Sequence, residues 1–162
     1  MKALYNIIME SRHDYKLVQF ESWKHMQNVI NRYVGWEKMT LYEPYVTNHA
    51  VKDEKRGFLH MNIDDPRKGD SIYVGFKVDG QYVGFTNIYL DDPKEFWIGD
   101  FEIIADQKGK GYGHIFYDML EEKYKGGRKE AILYYHGNDA KEFWRSVGFN
   151  VTHGCAMYKQ IK

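Results

Sequence analysis

The sequence predicts an α/β chain in which strand-like and helix-like segments succeed one another, and three observations carry that prediction. A glycine-rich turn, Lys108-Gly109-Lys110-Gly111-Tyr112-Gly113, joins an apolar strand-like run (96–105) to an amphipathic helix starting near Tyr112. Two β-rich runs, 72–78 and 81–90, flank Asp79-Gly80, a strong two-residue hairpin signal. Ala140, Phe143, Trp144 and Val147 recur at i, i+3, i+4 and i+7, one face of a short helix that Gly148-Phe149 stops.

Taken in order, residues 3–9 predict a first strand and residues 21–34 a helix. Trp23, Met26, Ile30 and Tyr33 or Val34 share one face of that helix, and Gly35 is placed to end it. Residues 36–66 hold Pro44, scattered aromatics and the mixed-sign cluster 52–56, and are expected to form one irregular helix within 45–60. The hairpin follows, then the turn Asp91-Asp92-Pro93 and the strand 96–105. Ile115, Phe116, Met119, Leu120 and Tyr124 stripe the next helix, which Gly126-Gly127 ends. Residues 131–135 read as a buried-type strand. The Ala140 helix comes next, with Asp139 and Glu142 at capping-box spacing, and a last strand lies within 151–160. The expected order is β-α-α-β-β-β-α-β-α-β.

At 162 residues with no Pro/Gly/Ser-rich linker, the chain is expected to be one domain over 1–162. Lys plus Arg (23) balances Asp plus Glu (23), so no global field draws it to nucleic acid or to an anionic membrane. One cysteine, no signal peptide and no apolar run long enough for a bilayer fit a cytoplasmic protein. Cys155 has no identifiable activating base and is expected to be a small core residue of the last strand. The seven histidines include no H-E-x-x-H, so no metal site is expected, and a serine-hydrolase elbow G-x-S-x-G is missing.

The glycine turn reads as a phosphate cradle. Glycines at alternate positions clear Cβ atoms from the path of a ligand, and the amides of a helix start point at one anion. The dinucleotide fingerprint fails, because its third glycine would fall at His114, and the P-loop fails because Gly111 follows Lys110. The segment resembles the acetyl-CoA pyrophosphate loop of the GNAT (GCN5-related N-acetyltransferase) superfamily, R/Q-x-x-G-x-G/A, with Gly111 and Gly113 as its small residues. Lys108 stands at the Arg/Gln position, keeping a cation without the bidentate fork. The stretch around Ala140, Trp144, Gly148 and Phe149 is similar to that family's A-x-x-x-Y-x-x-x-G-F segment, with Trp144 in the tyrosine position.

This resemblance implies a GNAT acyl-CoA N-acyltransferase fold with a mixed, largely antiparallel sheet, splayed at the coenzyme A site and flanked by helices. It implies an acetyl-CoA-dependent N-acetyltransferase, an acyltransferase passing acetyl directly to a primary amine in a ternary complex, with acetyl-CoA as co-substrate and no metal. The acceptor would be a small-molecule or peptide amine, and the family also admits a homodimer. Coenzyme contacts are implied for Ile103, Ile104, Ala105, Lys108, Gly109, Lys110, Gly111, Tyr112, Gly113, Asn138, Phe143 and Trp144. Among these, the backbone of residues 103–105 would polarise the thioester carbonyl. Because an indole is not a practical acid, the family tyrosine's role does not pass to Trp144, and a coenzyme A-binding module without transfer activity is the alternative.

Asp100 and Glu102 are the candidate bases. Strand alternation places them about 6–7 Å apart on one side of an otherwise apolar segment. Two such carboxylates raise the pKa of one of them toward the range a base needs. Glu102, nearer the loop, is the first choice. For the acid, Tyr134 or Tyr135 can face the sulfur but not both, and Tyr135 is preferred over its neighbour and over His136.

Overall fold

The computed structural model describes residues 12–39, 71–135 and 137–162. The elements are β1 (Tyr15–Phe20), α1 (Trp23–Tyr33), β2 (Ser71–Val78), β3 (Gln81–Tyr89), β4 (Glu95–Ile103), α2 (Tyr112–Tyr124), β5 (Glu130–Tyr134), α3 (Asn138–Val147), β6 (Asn150–His153) and β7 (Ala156–Gln160), with 3-10 turns at Trp36–Lys38 and Ala105–Gln107. Among the described residues seven strands form one sheet, in the order β1-β2-β3-β4-β5-β7-β6. Among the described residues every neighbouring pair is antiparallel except β4 with β5. A parallel pair needs a crossover, and α2 supplies it.

Local chemistry explains most boundaries. Ser22 caps α1, its Oγ accepting the amide of His25 at 3.1 Å, and the amide of Gly35 closes the helix on the carbonyl of Ile30 at 2.8 Å. Met26, Val29 and Ile30 are the buried residues of α1, so Val29 replaces the expected Tyr33, which lies at the helix end and is exposed. Asp79 and Gly80 both take positive φ (51° and 82°), as a two-residue hairpin matched to strand twist requires. At the end of α3, Gly148 adopts φ 112° and the amide of Phe149 returns to the carbonyl of Trp144 at 2.9 Å.

Three expectations are corrected, and two others lie outside the described residues. The first described strand is Tyr15–Phe20, a half-polar strand at the sheet edge, and the expected strand at 3–9 lies outside the described residues, as does the helix within 45–60. The last strand is two strands, folded back at Gly154. Gly137 caps α3, leaving Asp139 in the first turn, so the capping box does not form. Cys155 sits in the turn between β6 and β7 and is exposed, not core.

The sheet has two unlike faces. One buries Val74, Phe76, Ile88, Ile98, Phe116 and Trp144 beneath α2 and α3. The other packs Phe20, Phe85 and Ile104 against Met26, Val29 and Ile30 of α1. No helix among the described residues is long and apolar enough to cross a membrane.

Candidate active site

β4 and β5 pair at only three positions, Glu95 with Glu130, Phe96 with Ala131 and Trp97 with Ile132. Past them β5 continues along β7 and β4 along β3, so the two strands diverge and their facing edges open. Directly above this splay lies a cleft of about 670 Å³, walled by the C-terminal end of β4, the glycine turn and the start of α3.

Of the residues expected to hold a coenzyme, Ile103, Lys108, Gly109, Gly111, Tyr112, Gly113, Phe143 and Trp144 line this cleft. Gly109 and Gly111 have φ of 80° and 81°, and a Cβ on either would meet nothing within 4 Å. Their main chain is open to the cleft in a conformation other residues rarely adopt. Gly113 has a different job. A Cβ there would fall 2.8 Å from Cε2 of Phe143, so its bareness lets α2 close on α3. Lys110 donates to Gln107 Oε1 at 3.1 Å and is not among the lining residues, and neither is Asn138.

The expected backbone donors need a correction. The amide of Ile104 is bonded to the carbonyl of Val83 at 2.9 Å, and its side chain packs on the α1 face. Ala105 begins a 3-10 turn. In an antiparallel ladder successive amides point to opposite sides, so with Ile104 turned to β3 the amides of Ile103 and Phe101 point into the splay.

Glu102, the expected base, and Ala140 of the A-x-x-x-Y segment also line the cleft, as do Phe101, Gln107, His114 and Asp139, to which the sequence reading gave no place there; Asp100 is not among the lining residues. Phe101 is the structural hub, with ring centroids 4.8 Å from Phe116, 5.8 Å from Phe143 and 5.0 Å from Trp144. Its alternation with Ile103 was the signal that could have found it. Trp144 is buried edge-on against Tyr117 and Phe149 as well.

The two carboxylates lie on the face opposite this aromatic cluster. Glu102 pairs across the sheet with Phe85 and is buried. Asp100 has its Oδ2 shielded from solvent, and burial, aided by the charge of Glu102, pushes its carboxyl up to about 7. Tyr134 shares that face, its ring 5.8 Å from Trp97, and is exposed at its tip. Tyr135 packs on the α2/α3 side, with Lys141 Nζ 5.8 Å from its ring centroid and its amide on the carbonyl of Cys155. His136 lies outside the described residues. Among those described, no group of His, Cys, Asp or Glu is arranged to hold a metal ion.

The family model for the acetyltransferase (GNAT) family matches residues 23–149 of this chain, the span that holds the splay, the glycine turn and the aromatic helix. The chain belongs to the GNAT family. Solved structures agree in fold. The PaiA N-acetyltransferase of Thermoplasma acidophilum, in complex with coenzyme A, superposes with a TM-score of 0.64 at 18% identity, covering 91% of this chain and 99% of that one. A GNAT acetyltransferase from Elizabethkingia anophelis with acetyl-CoA bound gives 0.59 at 9% identity, over 91% and 98%. An aminoglycoside 6'-N-acetyltransferase complexed with coenzyme A gives 0.59 at 13% identity, over 91% and 97%. No curated protein matches the chain. As a GNAT protein it is an acyl-CoA-dependent N-acetyltransferase by family, and its cleft occupies the place between β4, the glycine turn and α3 where sequence analysis expected the coenzyme.

Proposed function

We propose that the chain transfers an acetyl group from acetyl-CoA to a primary amine, small molecule or peptide, by direct attack within a ternary complex. The observation that carries this reading is the continuity of the cleft from the open backbone of Gly109 and Gly111 down to the splay below Phe101 and Ile103. A diphosphate at the glycine turn sets the coenzyme's outer end, and the thioester reaches the strand edge, where outward amides polarise its carbonyl. The amine nitrogen attacks that carbon, the C–N bond forms and the C–S bond breaks, and the electron pair leaves with sulfur.

Two protons must move. The one lost by the amine goes to Asp100, whose carboxyl at about 7 holds protons more readily than an ordinary carboxylate, directly or through one water. Glu102, the first choice from sequence, becomes the charged neighbour that helps set this value. The sulfur takes its proton from Tyr135, the residue that follows β5, the opposite wall of the splay. The test is calorimetry with acetyl-CoA, NAD and ATP, followed by thiol release over amino acids, polyamines, aminoglycosides and peptides. Acetyl-CoA alone should bind and at least one amine should release thiol, whereas preference for NAD or ATP would discard the reading.

Trp144 favours a second reading, a coenzyme A-binding module without transfer, because an indole fills the tyrosine position. Tight acetyl-CoA binding with no thiol release across the panel would select it.

A further inference from the structure

Between Ile88 and Thr86 of β3 the pairing with β4 changes register. Ile88 faces Ile98 but Thr86 faces Phe101, so Gly99 and Asp100 together stand opposite Asn87. This is a one-residue bulge, and its consequence is parity: side chains and amides of a strand alternate, so a one-residue slip turns each of them to the other side. With the Ile88–Ile98 register continued, Phe101 would face α1 alongside Phe85, and Glu102 would face Phe116. The amides of Phe101 and Ile103 would turn into β3.

Asn87 holds the bulge. It is completely buried, and its side chain takes the place of a ladder carbonyl, with Oδ1 accepting the amide of Asp100 at 2.9 Å. Its Nδ2 donates to the Tyr89 hydroxyl at 3.1 Å and to Ser71 Oγ at 3.4 Å, which fixes the orientation of the amide group. The fit needs glycine at position 99, where a Cβ would fall 2.6 Å from Asn87 Oδ1.

We propose that Asn87 is a positioning residue for acetyl transfer: with Gly99 it locks the β4 bulge, and the bulge sets which strand amides and which carboxylate face the thioester. This rests on the transferase reading above. Loss of the lock should leave the glycine turn intact, so the coenzyme still binds while its carbonyl is left without its donor, a displacement that costs on the order of 10²-fold in rate.

The experiment uses the full chain with acetyl-CoA labelled with ¹³C at the carbonyl, read by NMR and infrared, together with amide hydrogen exchange at Asp100. In the wild type the Asp100 amide should be protected, and the bound carbonyl should show the downfield shift and lowered stretch of a hydrogen-bonded thioester. In Asn87→Ala, exchange at Asp100 should rise at least about tenfold. The carbonyl signature should vanish, and kcat with the fastest amine of the panel should fall about 10²-fold. The acetyl-CoA Kd should stay within about threefold, since the glycine turn is untouched. Deleting Gly99 in the Asn87→Ala background removes the extra residue and should restore the carbonyl signature through parity, which a merely structural role does not predict. If Asn87→Ala fails to fold, Tyr89→Phe, which removes one anchor of the amide, should speed Asp100 exchange and weaken the signature. An unchanged signature and unchanged protection in these variants overturn the role of Asn87 alone. A wild-type chain that binds no acetyl-CoA overturns the transferase reading and this role with it.

Discussion

The two walls of the cleft are built on different principles. The glycine turn works through local backbone: Gly109 and Gly111 hold positive φ, and their neighbours can vary, as Lys108 does at a position the family pattern gives to Arg or Gln. The β4 wall works through register, since what it presents depends on an extra residue twelve positions away from the asparagine that accommodates it. The difference teaches that a binding feature made of consecutive residues survives side-chain change, while one made by strand pairing depends on a distant partner.

Charge should matter on the β4 wall for chemistry and not for holding the coenzyme. Asp100→Asn should lower kcat by about 10²–10⁴-fold with little change in acetyl-CoA affinity, measured by thiol release and calorimetry. In the wild type kcat/KM should rise through about pH 7 as Asp100 deprotonates, and this inflection should be absent from the variant. The same group has a stability signature of definite sign. Its folded pKa lies above that of an ordinary carboxylate, so the folded chain binds the extra proton between about 4 and 7, and stability falls as pH rises across that window. Urea titrations should show that fall in the wild type and a flatter profile in Asp100→Asn. Loss of affinity instead of rate would erase the contrast between the walls.

On the other wall, Gly111→Val forces a β-branched residue into a left-handed conformation costing about 1–2 kcal/mol. Acetyl-CoA binding should weaken about tenfold by calorimetry, with the pH inflection retained. A similar displacement by Gly113→Ala should trace to Phe143 and appear as lowered Tm as well. The smallest effect belongs to Lys108→Ala, less than about fivefold in Kd, because directed backbone amides carry the site and a flexible ammonium adds a point charge. A larger loss would mean that the side chain, not the main chain, does the holding.

Legibility in the sequence follows the same division. Asp79-Gly80, the stripe of α2 and the stop at Gly148 were readable because turn chemistry and helical period are written in neighbouring residues. Most of the cleft lining was readable for that reason. Tyr15–Phe20 was not, because an edge strand that is half polar lacks the apolar run by which a buried strand is recognised. Asn87 was invisible as a partner of Gly99 and Asp100, since only the pairing of β3 with β4 brings them together. Glu102 and Asp100 were readable as a pair on one face from strand alternation, but the raised carboxyl of Asp100 was not, because it arises from the shielding of its side chain together with the charge of Glu102 in the folded sheet.

Beyond Trp97, β4 is a sheet edge that has been placed inside the sheet. Exposed edges invite other chains to add a strand and so begin aggregation. Here α2 and α3 stand over the opening, and Phe101, Phe143 and Trp144 narrow it to a slot. A strand added there would have to pack its side chains against these rings, whereas a thin amide-bearing arm presents none. The fold thus pairs an uncovered strand edge with a roof of aromatic side chains, the kind of cover by which proteins blunt such edges.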